Sequence, residues 1–167
     1  MIYSTTYEEK ELQKEGKQLI LSVFPLVFMV FGILYGLVNH EIFSEGLMAI
    51  LYSPTTLLTD FLKVGGVGPA FVNAAFVGIF NIYLLRRFEM RINGLLIAAI
   101  FTVIGFSFFG KNILNIMPIY LGGYLYARRQ GIAMKNIILI IMFSTALAPI
   151  VSEITFGGYF EDRKSVV

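Results

Sequence analysis

Six long runs without a charged residue decide what this chain can fold into. They cover 18–40 (23 residues), 46–59 (14), 64–85 (22), 92–110 (19), 112–127 (16) and 136–152 (17). A helix that crosses the hydrocarbon core of a bilayer needs about 20 predominantly apolar residues, with a lower limit near 17. Runs 18–40, 64–85 and 92–110 meet that on length, and 136–152 reaches it by continuing past Glu153 through Ile154 and Phe156. Run 112–127 is borderline. Run 46–59 is too short and carries Ser53, Pro54, Thr55, Thr56 and Thr59, which suits a re-entrant or interfacial segment. With 57% hydrophobic and 14% charged residues and a mean hydropathy of +0.77, a soluble domain of this size could not hide its apolar surface. The expected fold is all-α and membrane-embedded, with five transmembrane helices plus one re-entrant or interfacial segment. It divides into a polar interfacial lead-in over 1–17, a membrane helical domain over 18–160 and a short polar tail over 161–167.

Lysine and arginine set the orientation. With the N-terminus cytoplasmic and 46–59 not crossing, Lys10, Lys14, Lys17, Arg86, Arg87, Arg91, Arg128, Arg129 and Lys135 lie inside, against Lys63, Lys111, Arg163 and Lys164 outside. That 9 to 4 bias collapses if 46–59 crosses. The expected location is therefore the cell membrane, with a cytoplasmic N-terminus and an external C-terminus. Thr6 followed by Glu9 has the form of a capping box opening a short charged helix in the lead-in.

Composition excludes several chemistries. No cysteine and one histidine, His40, leave no metal, haem or thiol redox centre to assemble, and no cofactor is expected. The basic residues flank membrane segments, so no nucleic-acid site is read from them. No serine, histidine and carboxylate arrangement offers catalysis, and no enzymatic activity or catalytic residue is expected. Gly105 to Asn112 has the skeleton of a phosphate-binding loop, but Asn112 stands where magnesium needs Ser or Thr, and the loop is lined with phenylalanine.

Small residues four apart, Gly32 and Gly36, Ala74 and Gly78, Ser144 and Ala148, allow close helix approach, while Pro25, Pro118 and Pro149 kink or start helices. Breaks in the backbone are expected at Gly65, Gly66, Gly68, Pro69 and Gly110. A helix start beside unwound glycine offers amide donors to a polar solute. Polar groups inside apolar runs are costly against lipid: Asn73, Asn81, Asn93, Thr102, Asn112, Asn115, Thr145 and Ser152. From these the candidate solute path takes Asn73, Asn93, Thr102, Asn112 and Thr145, with Asn73 and Asn93 facing a common cavity. Lys111 and Glu153 complete it, the ionisable residues nearest the apolar interior, placed to pair or to guard an entrance. Packing alone is the competing reading for each of these residues.

Val64-Gly-Gly-Val-Gly-Pro-Ala-Phe-Val-Asn73, the stretch from Asn93 to Asn112 ending in Phe-Gly-Lys-Asn, and Ser144-Thr-Ala-Leu-Ala-Pro149 with Ser152-Glu153 resemble a prokaryotic multi-pass membrane protein family of unknown function. The resemblance covers roughly residues 18–160 and implies the N-terminal half of a protein about twice this length, or a naturally short relative. Gly66-Val67-Gly68 with Asn73, and Asn93-Gly94, more distantly resemble one inverted-repeat unit of the urea-transporter fold. That likeness implies a single transporter repeat. The expected function is a transporter or channel half-unit for a small polar solute or ion, working as a homo-oligomer or with a second repeat or partner subunit. The alternative is a non-transporting membrane scaffold or assembly subunit.

Overall fold

A computed structural model describes residues 2–55 and 58–157, with the side chains of the first helix described from Leu19 onward. The side chains of the Thr6–Glu9 box, Thr56 and the tail over 161–167 lie outside the described residues. Every regular element among the described residues is helical: α1 Ile2–Val38, α2 Phe43–Tyr52, α3 Phe61–Gly65, α4 Val67–Arg87, α5 Gly94–Phe106, α6 Ile113–Gln130, α7 Ile138–Ser144 and α8 Ala148–Phe156. A 3-10 turn, Thr145–Leu147, joins α7 to α8, and another, Met134–Asn136, precedes α7.

Three helices are long and apolar enough to cross a membrane: Leu19–Val38 of α1, α4, and the α7–α8 rod Ile138–Phe156. Their exposed side chains, such as Leu19, Val23, Leu26 and Val30 on α1, are those of a helix solvated by lipid. The lead-in is not a separate helix. Its backbone continues into the first span as one helix of 37 residues, and Pro25 lies inside it.

α1 and α4 run antiparallel, as paired positions show. A Cβ on Gly32 would stand 2.7 Å from the Gly68 carbonyl, one on Gly78 would stand 3.0 Å from Pro25, and Arg86 reaches Ser22 at 2.8 Å. The small residues thus do what their spacing predicts, bringing two backbones together. α4 and α5 are likewise antiparallel, with Gly78 against Ile104 and Asn73 against Ser107. The core beneath is aliphatic, built from Ala74, Val77, Ala99, Ile100, Val103 and Ile104 with Ile138 and Met142.

Run 92–110, long enough for a span by count, contributes only 13 helical residues, about 20 Å of rise. Residues 107–110 fold instead into a turn: the Ser107 hydroxyl donates back to Val103 O at 2.9 Å, and Gly110 takes a φ of 103° that other residues avoid. α5 and α6 therefore form a helical hairpin. α2, at 10 residues and about 15 Å, is also too short to cross, and with α3 it forms a second hairpin. That hairpin hangs between the end of α1 and the start of α4, whereas α5–α6 hangs from the other end of α4. The two enter the bundle from opposite ends.

The α2–α3 seam is made by glycine. A Cβ on Gly65 would stand 2.5 Å from the Gly46 carbonyl, and one on Gly46 would stand 2.6 Å from Pro69 Cγ. Backbone cannot yield as a side-chain tip does, so Gly46→Val should destabilise the fold by about 2–3 kcal/mol. Gly94→Ala, with nothing within 4 Å of the new methyl, should be neutral or better. Thermal unfolding in detergent compares the two.

Candidate functional site

The tips of the two hairpins meet, and the polar groups meet there with them. Of the nine buried polar or charged residues among those described, Thr55, Asn73, Ser107, Lys111, Asn112, Asn115, Thr145 and Ser152 belong to this junction, and Asn81 lies apart. Asn73 lies six residues after Val67, so the junction sits about 9 Å along α4 from its start. Thr145 lies seven residues into the α7–α8 rod, about 11 Å from its beginning.

Helix ends leave amides and carbonyls without partners, and side chains settle them at the junction. Asn112 caps α6, accepting from Leu114 N at 2.9 Å and Asn115 N at 3.0 Å, while Asn115 Oδ1 accepts from Asn112 N at 2.9 Å. The Asn112 amide also donates to Ile50 O at 3.0 Å, tying the last turn of α2 to the first turn of α6. Asn73 donates from α4 to two carbonyls of the α5–α6 turn, Ser107 O at 2.9 Å and Lys111 O at 3.0 Å. Asn115 donates to Gly110 O and to the Ser152 hydroxyl, both at 2.8 Å. Thr55 donates to Pro149 O at 2.9 Å, and Phe61 N to Phe108 O at 3.0 Å, which fasten the α2–α3 tip across the cluster.

Lys111 is the exception to this mutual satisfaction. Its side chain is 1% exposed and donates to the Thr145 hydroxyl at 2.9 Å, with the Phe106 ring centroid 5.4 Å away. Thr145 in turn donates to Met142 O at 2.6 Å, so its lone pairs face the lysine. Among the described residues no carboxylate lies within ion-pair distance of the ammonium. An ammonium has three donors, and burying its charge without a counter-charge costs several kcal/mol even after relaxation.

The expected path is thus gathered only in part. Asn73, Gly110, Lys111, Asn112 and Thr145 come together. Asn93 does not: it is exposed, caps α5 through Leu96 N at 2.9 Å, and lies at the far end of α5 from the carbonyls Asn73 holds. Asn73 and Asn93 therefore share no cavity. Thr102 spends its hydroxyl on Ala98 O within its own helix, at 2.8 Å. Glu153 does not pair with Lys111; its Oε2 is the buried side-chain oxygen or nitrogen left without a partner among the described residues.

Gly65, Gly66, Gly68 and Pro69 form the α3–α4 break, where Gly66 adopts a φ of 92°. The amides they free are already taken. Glu41, in the α1–α2 connection, accepts from Val67 N at 3.0 Å and Gly68 N at 2.7 Å, a carboxylate seated on the positive end of a helix dipole. Glu41, Thr55 and Ser107 escaped sequence reasoning. Glu41 sits 26 residues before its partner, a separation no local pattern encodes. Ser107 lies among phenylalanines, and the bond its carbonyl accepts from Asn73 is not set by the local sequence.

Three grooves have apolar linings: about 590 Å³ between α4 and α6 beside Phe80, Met117 and Tyr120, about 290 Å³ beside Phe24 and Phe101, and about 290 Å³ beside Pro25 and Tyr83. None of these three is lined by a junction residue, and Lys111, 1% exposed, is sealed in this conformation.

A family model described as "Protein of unknown function (DUF1576)" matches residues 26–167. No curated protein and no solved structure matches the chain.

Proposed function

Because the chain belongs to the DUF1576 family of proteins of unknown function, its activity has to be read from the site, and we propose that it is a transporter or channel unit for a small polar solute or ion. One observation carries the reading: a buried lysine with no carboxylate within ion-pair distance among the described residues, placed where two opposed helical hairpins meet. Backbone that leaves the helix at membrane depth is tolerated where protein buries it or where it lines a path, and an ionisable group there points to function. Transport proteins build midplane sites from such broken helices. A scaffold needs no buried ammonium, and the reading assigns the chain no enzymatic role.

In this reading the five passes expected from run lengths become three passes, α1, α4 and α7–α8, with α2–α3 dipping from outside and α5–α6 from the cytoplasm. The N-terminus is cytoplasmic and the far end of α8 external, as the basic residues favour. A second copy or a partner subunit completing the path belongs to the same reading. The sealed site is the occluded form, and the α2–α3 tip, held by Asn112, Thr55 and Phe61, is the part whose release opens it.

Single cysteines in an otherwise cysteine-free chain test the topology. Ser44→Cys should react with an impermeant thiol reagent added to intact cells, and Gln130→Cys should not; the reverse pattern contradicts the arrangement. Stopped-flow swelling of proteoliposomes tests transport itself. The expected result is solute-driven swelling well above that of protein-free vesicles, whereas a folded protein that passes no solute returns the chain to the scaffold reading.

A further inference from the structure

We infer that the solute recognised at the hairpin junction is a small anion, held by Lys111. The inference rests on the transport reading and names its substrate class.

Subtraction supports it. The carbonyls at the end of α2 are engaged by Asn112, those of the α5–α6 turn by Asn73 and Asn115, and the first amides of α6 by Asn112. The α4 amides at the neighbouring break are occupied by Glu41. A neutral hydrogen-bonding solute could accept from the spare N–H groups of Lys111 but would leave its charge unmatched. A cation would meet an ammonium with no carboxylate within ion-pair distance among the described residues. What the junction leaves unmet is positive charge and the N–H capacity of Lys111 beyond its single bond to Thr145. An anion supplies both lacking elements, charge and acceptors, in a low-dielectric site where the pairing is strong.

Size follows from the seal. Lys111 is 1% exposed and its neighbours Thr55, Asn73, Asn112 and Thr145 are buried, which leaves room for no more than an ion of a few atoms. Lys111 would hold such an ion through the N–H groups that Thr145 leaves free, Thr145 orienting the ammonium by accepting from it and Asn73 acting as a positioning residue through the Lys111 carbonyl.

The test uses the purified chain in phosphatidylcholine vesicles, which offer no anionic lipid. Potassium chloride, nitrate and formate are compared with urea and glycerol, with valinomycin carrying the compensating charge. The inference expects at least one of the three anions to permeate about tenfold faster or more than either neutral solute, Lys111→Met to lose about tenfold or more of that flux, and Lys111→Arg to keep most of it. Urea or glycerol passing as fast as every anion overturns the anion assignment and leaves transport standing. Anion flux unchanged in a folded Lys111→Met variant overturns it too. No flux of any solute overturns both. Should the methionine variant fail to fold, the selectivity of the unaltered chain still decides the matter.

Discussion

Asn73→Leu should lower the stability of the chain by about 2–5 kcal/mol, because it strips the donor from two buried carbonyls at once, those of Ser107 and Lys111. An unmet buried acceptor costs about 1–3 kcal/mol, and these two have no water to turn to, since Asn73, Ser107 and Lys111 are all buried. Leucine also sets a branched apolar group against that turn. Asn93→Leu should cost only about 1 kcal/mol, the loss of an exposed helix cap. Unfolding of the two variants in the same detergent measures the difference. Equal losses would mean that Asn73 does not hold the α5–α6 turn.

The second large effect concerns Asn112, which joins the hairpins. Asn112→Ala removes the α6 cap and the bond to Ile50 O together, and should destabilise the protein by about 2–4 kcal/mol. Asn112→Asp separates the contributions: the carboxylate keeps the cap's acceptor but has no amide to donate to α2. The aspartate variant should retain the α6 helix while loosening the end of α2 and the start of α3, seen as faster hydrogen exchange over 50–52 and 61–65 than in the unaltered chain. Exchange rising equally in α6 and in the α2–α3 tip would show that the bridge to α2 has no separate weight.

Apolar run length was a good guide to the three long helices, because there the apolar stretch continues as helix almost end to end, Leu19–Val38 of α1, Val67–Arg87 and Ile138–Phe156. It failed for 92–110. There the run counts residues of a turn as residues of a helix, and Ser107 with Gly110 ends α5 early even though no charge marks the place. The same blindness to long-range partners separates Asn73 from Asn93. Both are asparagines next to glycine-rich stretches, yet one reaches across to a carbonyl 34 residues away and the other caps its own helix. Lys111 and Asn112 were legible because a charge and an amide inside apolar sequence have few cheap places to go. Glu41 was not, because it reads as an ordinary loop acid until α4 is folded back against α1.

On the transport reading the Lys111 junction, sealed here, opens to water from within the bilayer. Cysteine at position 145 tests it most directly, because Thr145 touches the Lys111 ammonium and the chain has no other thiol. In proteoliposomes, Thr145→Cys should react with a small water-soluble methanethiosulfonate reagent, and the reaction should slow when a permeant solute is present. A thiol that ignores the water-soluble reagent under every solute condition, yet reacts with a lipid-soluble maleimide, would contradict the account and leave the junction as packing alone.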